Sequence, residues 1–250
     1  MNATSSSAAV GLLRFVQKQS SNEEISKQFG TSMNCVLSFT IYGNDPKYCV
    51  GAIKNAELAK KFYPGWKCFF WYDKTVPLEY LNQLMSFDNV ELIDSSNMNM
   101  PGRYWRFNCF QRKDIDIFCV RDTDSRISQR EVDAVNQWIQ SGKKLHIMRD
   151  HPHHNFPVMA GMWAFKNDFV TWEIEKLLVP WLESHKIVDK IDDTNFLTLL
   201  YRDFVNSALV HDDWLRCQNS VKFPTDRAGK RFIGEIFDEN DTPDIHWTLL

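Results

Sequence analysis

Ile115-Asp116-Ile117-Phe118-Cys119-Val120 runs without a break into Arg121-Asp122-Thr123-Asp124-Ser125-Arg126. The first six residues read as a buried strand, and the aspartates at i and i+2 stand where that strand emerges. In an open α/β sheet ligands gather at the carboxyl ends of strands. Two carboxylates so placed can hold a hard divalent cation that carries phosphate oxygens, because the ion cancels their mutual repulsion. The plain alternative is an acidic turn leading into the next helix.

Strand and helix signatures alternate on both sides of this corner. Upstream, Cys35 to Ile41 is strand-like and Tyr42-Gly43-Asn44-Asp45-Pro46 is a turn. Apolar residues then recur at Cys49, Ala52, Ile53, Ala56, Ala59 and Phe62, a helical stripe over Lys47 to Tyr63 closed by Pro64-Gly65. Lys67 to Tyr72 reads as a strand, Pro77 to Met85 as a helix, Val90 to Ile93 as a strand and Tyr104 to Phe110 as a helix. Downstream, Ser128 to Gln140 is a helix ended by Ser141-Gly142, and Leu145 to Met148 a strand. A long helix is expected from Asp168 towards Leu178, broken by Pro180, and another from Thr194 to Phe204. Repeated βα units predict one α/β domain over residues 34–250, with a mainly parallel central sheet flanked by helices.

Residues 1–33 form a Ser-rich arm whose apolar patch, Ala8 to Val16, is interrupted by Arg14. It is too short and too polar-flanked for a signal peptide, and reads as a loose arm or one amphipathic helix, a possible peripheral membrane contact. No run approaches the roughly 18 apolar residues of a membrane span. With 29 basic and 32 acidic side chains the net charge is −3, which argues against nucleic acid as a partner. The six cysteines include no Cys-x-x-Cys pair, and that predicts reduced thiols in a cytoplasmic protein.

Several runs in order carry a family resemblance over about residues 36–238. Arg121-Asp122-Thr123-Asp124-Ser125-Arg126, then Arg130-Glu131 and Trp138, resembles the Asp-x-Asp region of metal-dependent GT-A glycosyltransferases. His146-Ile147-Met148-Arg149-Asp150-His151-Pro152-His153-His154, then Gly161-Met162-Trp163, is similar to short members known from bacteria and large DNA viruses. The resemblance implies transfer of a sugar from a nucleotide-diphosphate donor, a UDP-sugar by default, to a glycan or other hydroxyl acceptor, with Mn2+ or Mg2+. It implies that the opening strand and its loop, including Ser38, Thr40 and Tyr42, hold base and ribose. Asp124 becomes a direct metal ligand and Asp122 a contact to ribose or metal, with His211 completing the metal shell. Arg106 and Arg126 would touch donor phosphate or sugar, or else pair with nearby carboxylates. Gly161 would lie under the donor sugar, and Trp163 would stack on a sugar or belong to the core. Asp192 joins the donor site. Asp193 is the catalytic base, or alternatively a helix cap. Asp150, His151, His153 and His154 are assigned to acceptor or sugar contacts. A zinc site is disfavoured there, because three nearly adjacent imidazoles lack helical i,i+4 spacing.

Two rival readings remain at this level. A hydrophobic strand followed by Asp-x-Asp also opens haloacid-dehalogenase-type phosphohydrolases, with Asp122 as nucleophile, Asp124 as acid/base and Asp192-Asp193 as the Mg site. That arrangement wants the motif on the first core strand, whereas about three βα units precede it here. A noncatalytic sugar-nucleotide or glycan binder is the other.

Overall fold

Eight strands, among the described residues, make a single sheet in the order β3-β2-β1-β4-β6-β5-β7-β8. They are β1 (Cys35–Ile41), β2 (Lys67–Tyr72), β3 (Val90–Asp94), β4 (Ile117–Arg121), β5 (Leu145–Arg149), β6 (Met162–Lys166), β7 (Ala208–Asp212) and β8 (Ser220–Val221). The computed structural model describes residues 33–167, 174–185, 192–217 and 219–247. The arm expected over residues 1–33 lies almost wholly outside them, as does the expected helix start at Asp168. Among the described residues no helix is long and apolar enough to cross a membrane.

Every pairing is parallel except those of β6, which runs antiparallel to both β4 and β5. Five α-helices accompany the sheet among the described residues: α1 (Pro46–Phe62), α2 (Leu78–Met85), α3 (Gln129–Gln140), α4 (Ile174–Ser184) and α5 (Asp192–Phe204). Asp45 caps α1, its side chain accepting from the Lys47 amide at 3.0 Å, and Pro46 follows in the first turn. Ser128 caps α3 in the same manner.

The pleat sends Val36, Phe69, Trp71, Phe118 and Val120 into one apolar cluster with Phe107, Phe110, Trp163, Phe196 and Leu200. Leu37, Phe70 and Cys119 turn to the other face and are equally buried. A sheet buried on both faces must be covered on both, as its near-continuous apolar strands require.

Two expectations are corrected. Tyr104 to Phe110 is not an α-helix but part of a 3₁₀ segment, Gly102–Gln111, in which all seven of these residues are buried. Burial on every side leaves no amphipathic stripe, so helical type could not be read from periodicity. Pro180 does not break α4, which continues to Ser184. Leu177, Leu178, Trp181 and Leu182 pack on the core on both sides of the proline, and that packing offsets the one lost backbone hydrogen bond.

Candidate active site

β1 leads to β2 on one side and lies against β4 on the other, so the chain leaves the sheet in opposite directions just beyond Ile41 and Arg121. That divergence opens a cleft of about 940 Å3 at the carboxyl ends of the strands. Thr40 and Tyr42 come from the end of β1, Asp122 and Asp124 from the end of β4, and Asp193 from the first turn of α5. The cleft is also lined by Arg106, Gly161, His151, His153 and His154.

Burial fixes the Asp-x-Asp turn before any ligand is considered. Arg121 closes β4 from within: its Nε donates to Glu131 Oε1 at 2.7 Å and one terminal nitrogen donates to the Trp163 carbonyl at 2.9 Å. The Tyr63 hydroxyl donates to the same Glu131 oxygen at 3.0 Å. Asn55 of α1 donates to the carbonyls of Thr123 and Ser125 at 3.1 and 2.8 Å. Gly51 lets that helix come close, since a Cβ there would collide with the Thr123 carbonyl.

One guanidinium organises the acidic groups. Arg106, 6% exposed, pairs with Asp122 through one terminal nitrogen and with Asp193 Oδ2 through the other at 3.1 Å. The backbone around it is held to β1, with the Ser38 hydroxyl donating to the Arg106 carbonyl at 2.7 Å and the Arg106 amide donating to Thr40 Oγ1 at 3.1 Å. Asp193 Oδ1 also accepts from the Thr194 amide at 2.9 Å. Burial pushes the Asp193 carboxyl above the usual carboxylate range, against the pull of Arg106. Burial and then the neighbouring Asp122 charge push Asp124 the same way, and Lys47, with Nζ 2.9 Å from Oδ2, opposes them. Gly161 makes room for the clamp, because a Cβ on it would run into the Asp122 carboxylate.

The histidine run is ordered by its own backbone. The Asp150 amide donates to His154 Nδ1 at 3.1 Å and the His153 amide to His151 Nδ1, also at 3.1 Å. A nitrogen that accepts cannot carry the proton, so each neutral ring carries it on Nε2. Burial, followed by the nearby His151, pushes the His154 pKa down to about 3. Both rings pack on Phe232, with centroids 4.5 and 5.8 Å away.

Six residues assigned to the site from the sequence do not line the cleft. Ser38 is fully buried between the Arg106 carbonyl and Trp71, a support for the clamp. Trp163 is a core aromatic packed among Phe107, Phe110 and Phe118. Arg126 is taken up by Asp241 Oδ1 at 2.8 Å and the Asp238 carbonyl at 3.0 Å, so it ties the Asp-x-Asp turn to the C-terminal segment. Asp150 is wholly buried between Arg130 and Arg227 and accepts from the Ile233 amide at 2.9 Å. Asp192 starts α5 outside the lining. His211 is buried on β7, where Nδ1 meets His146 Nε2 at 2.8 Å and Nε2 meets Gln137 Oε1 at 2.9 Å.

Other residues at or beside the cleft carry little sequence signal. Lys47, which flanks the cleft and meets Asp124 from α1, reads only as a helix start. Phe232, Gly234 and Ile236 form a wall contributed by the C-terminal segment. The segment is held at both ends, by Asp150 at Ile233 and by the Phe237 amide donating to the Asp124 carbonyl at 2.8 Å. Its one sequence signal is Gly234, whose φ of +82° favours glycine.

A divalent ion can be tested against this donor set. Asp122 and Asp124 offer the carboxylate oxygens that hard cations take, but no group of three or more His, Cys, Asp or Glu side chains suited to a metal occurs among the described residues. Two carboxylates do not make an all-protein cage, but they are compatible with the one or two carboxylates by which Mg2+-like ions are commonly held.

No family model matches the chain, and no curated protein matches its sequence. Solved structures do. The galactosyltransferase LgtC, in complex with donor and acceptor sugar analogs, matches with a TM-score of 0.51 at 14% identity, over 71% of this chain and 73% of LgtC. The glycosyltransferase GlyE of Streptococcus pneumoniae TIGR4 matches with a TM-score of 0.52 at 14% identity, over 73% of this chain and 46% of GlyE. At such identities the likeness establishes the fold alone: the chain has an α/β fold like that of GT-A glycosyltransferases.

Proposed function

We propose that the protein is a glycosyltransferase that moves a sugar from a nucleoside-diphosphate donor, a UDP-sugar by preference, to a hydroxyl of a glycan or other acceptor, with Mn2+ or Mg2+. The observation that carries this reading is the convergence of Asp122, Asp124, Asp193 and Arg106 in one cleft at the carboxyl ends of β1 and β4. No observation favours the phosphohydrolase or the noncatalytic binder.

In this reading Asp124 and Asp122 hold the cation, which when bound neutralises charge on the departing diphosphate. Arg106 keeps Asp122 and Asp193 at a fixed separation and aims both into the cleft. Asp193 takes the proton of the attacking hydroxyl: its burial already favours the protonated form, and each of its oxygens retains accepting capacity beside the partner it has. Tyr42 and Thr40 stand on the donor side. His151, His153 and His154 line the same cleft as the C-terminal wall, and the Nε2–H groups of His151 and His154 can donate to sugar oxygens. A panel of nucleotide sugars screened with Mn2+ for thermal stabilisation tests the reading. One nucleotide sugar should raise the melting temperature only with metal, and should then be consumed when acceptors are supplied. Release of phosphate from simple phosphomonoesters without sugar transfer would replace this reading with the phosphohydrolase.

A further inference from the structure

Asp124 carries a cation of its own before any ligand arrives. Lys47 is the second residue of α1, and its ammonium lies 2.9 Å from Asp124 Oδ2, with the two side chains 28% and 13% exposed. The first turn of a helix is a poor place for a positive charge, because the macrodipole presents its positive end there. The Asp45 cap offsets that end and no acidic residue lies within the turn itself. Asp124 is the carboxylate in contact with the ammonium, and Asp244 acts on it more weakly. Asp45 and Tyr48 line the cleft while Lys47 between them does not, so the ammonium reaches the carboxylate from the α1 flank. The Tyr48 ring faces the same ammonium, its centroid 5.1 Å from Nζ, and remains a contact for it if Asp124 is taken by another cation.

We propose that Lys47 is the exchangeable counter-ion of Asp124, a positioning residue that competes with a divalent cation for that carboxylate and makes cation binding depend on a nucleoside diphosphate. The proposal rests on the nucleotide-sugar reading of the cleft. A bare cation must share Asp124 with an ammonium, and like charges on one carboxylate oppose each other. When a diphosphate enters with the cation, its oxygens complete the cation's shell and give the released ammonium new acceptors. Removal of Lys47 therefore has two effects of opposite sign: the cation alone binds more tightly, and the diphosphate adds less.

The test follows free Mn2+ by electron paramagnetic resonance in titrations of the full chain at about pH 7.5, where Lys47 is charged, alone and with UDP or GDP, for wild type, Lys47→Met, Lys47→Gln and Lys47→Arg. Both Met and Gln should tighten Mn2+ binding without nucleotide about tenfold, an ordinary size for coupling between ligands, and should shrink the nucleotide enhancement by the same factor. Lys47→Arg should behave as wild type. If the neutral variants only lower the melting temperature and bind Mn2+ alone as wild type does, Lys47 is a plain structural ion pair and the inference fails by itself. If wild type binds no Mn2+ even with either nucleotide, the reading of the cleft fails and the inference falls with it.

Discussion

Arg106 is the residue on which the acidic groups of the cleft depend, because one buried guanidinium touches the carboxylates of Asp122 and Asp193 at once. Its planar fork can reach two partners in fixed directions, which a lysine could not do. The separate roles of the two carboxylates can be measured one at a time. Asp193→Asn keeps the shape and the Thr194 contact but removes the proposed proton acceptor and turns an amide NH2 towards Arg106 in place of Oδ2, and general-base assistance is worth about 10²- to 10⁴-fold. Turnover per folded molecule should fall by at least a factor in that range; unchanged turnover per folded molecule would remove Asp193 from the chemistry. α5 begins at Asp192, so Asp193 lies inside the first turn and is not the cap itself. Gly161→Ala probes the other end of the clamp. Its Cβ would push on the Asp122 carboxylate, and displacements of about 1 Å in a catalytic constellation cost about 10²-fold. Transfer should drop by that order while the melting temperature moves little, and wild-type activity in the Gly161→Ala variant would show that Asp122 need not sit where Arg106 holds it.

At the scale of elements, β5, β7 and α3 meet in a buried hydrogen-bonded row of His146, His211 and Gln137, with Trp138 stacked on His146 at a centroid distance of 5.4 Å. Burial pushes the His211 pKa down to about 4 and holds His146 well below its ordinary value. Both rings are neutral in the folded protein at about pH 5 while the unfolded chain protonates them from about pH 6.5 downwards. The unfolded state then binds more protons, so stability falls as pH drops below about 6.5, and the share due to His211 levels out below about 4. Urea midpoints should be lower at about pH 5 than at about pH 7.5, and the difference should be smaller in His211→Gln; an equal difference would mean that His211 does not titrate on unfolding. The same row shows where sequence reading stops. The strand, the turn and the two aspartates at 115–126 are legible because burial and chemistry follow one another along the chain. The family resemblance places His211 with the metal, and the apolar run before it points the same way. Its actual partners come from α3 and β5, 74 and 65 residues away, and no local pattern reports them. Asp150 is a related case: the resemblance of its run assigns it to acceptor or sugar contacts, whereas it lies buried between Arg130 and Arg227. Ser38 falls on the expected strand β1 and Trp163 on β6, and both hold the frame beneath the cleft.

Across the whole molecule, the cleft joins at least four separated stretches of chain into one electrostatic unit. The ends of β1 and β4 provide its floor, the start of α5 provides Asp193, and the C-terminal segment around Phe232 to Ile236 provides a wall tied down through Asp150 and the Asp124 backbone. The carboxylates of Asp122, Asp124 and Asp193 are met by the cationic side chains of Arg106 and Lys47, so much of their charge is countered before ligands bind. A free diphosphate meets carboxylates that repel it, and a free cation meets the ammonium of Lys47. Only the two together leave the charges satisfied, so the cleft should take its cation and its diphosphate jointly. Isothermal titration calorimetry of UDP and GDP, each in Mn2+ and in chelator, against wild type and Asp124→Asn, reads that coupling. One nucleotide should bind wild type at least about tenfold more tightly with Mn2+ than with chelator, and Asp124→Asn should abolish the difference. Equal affinity for that nucleotide in Mn2+ and in chelator would contradict the assignment of Asp122 and Asp124 to a cation that carries the donor diphosphate.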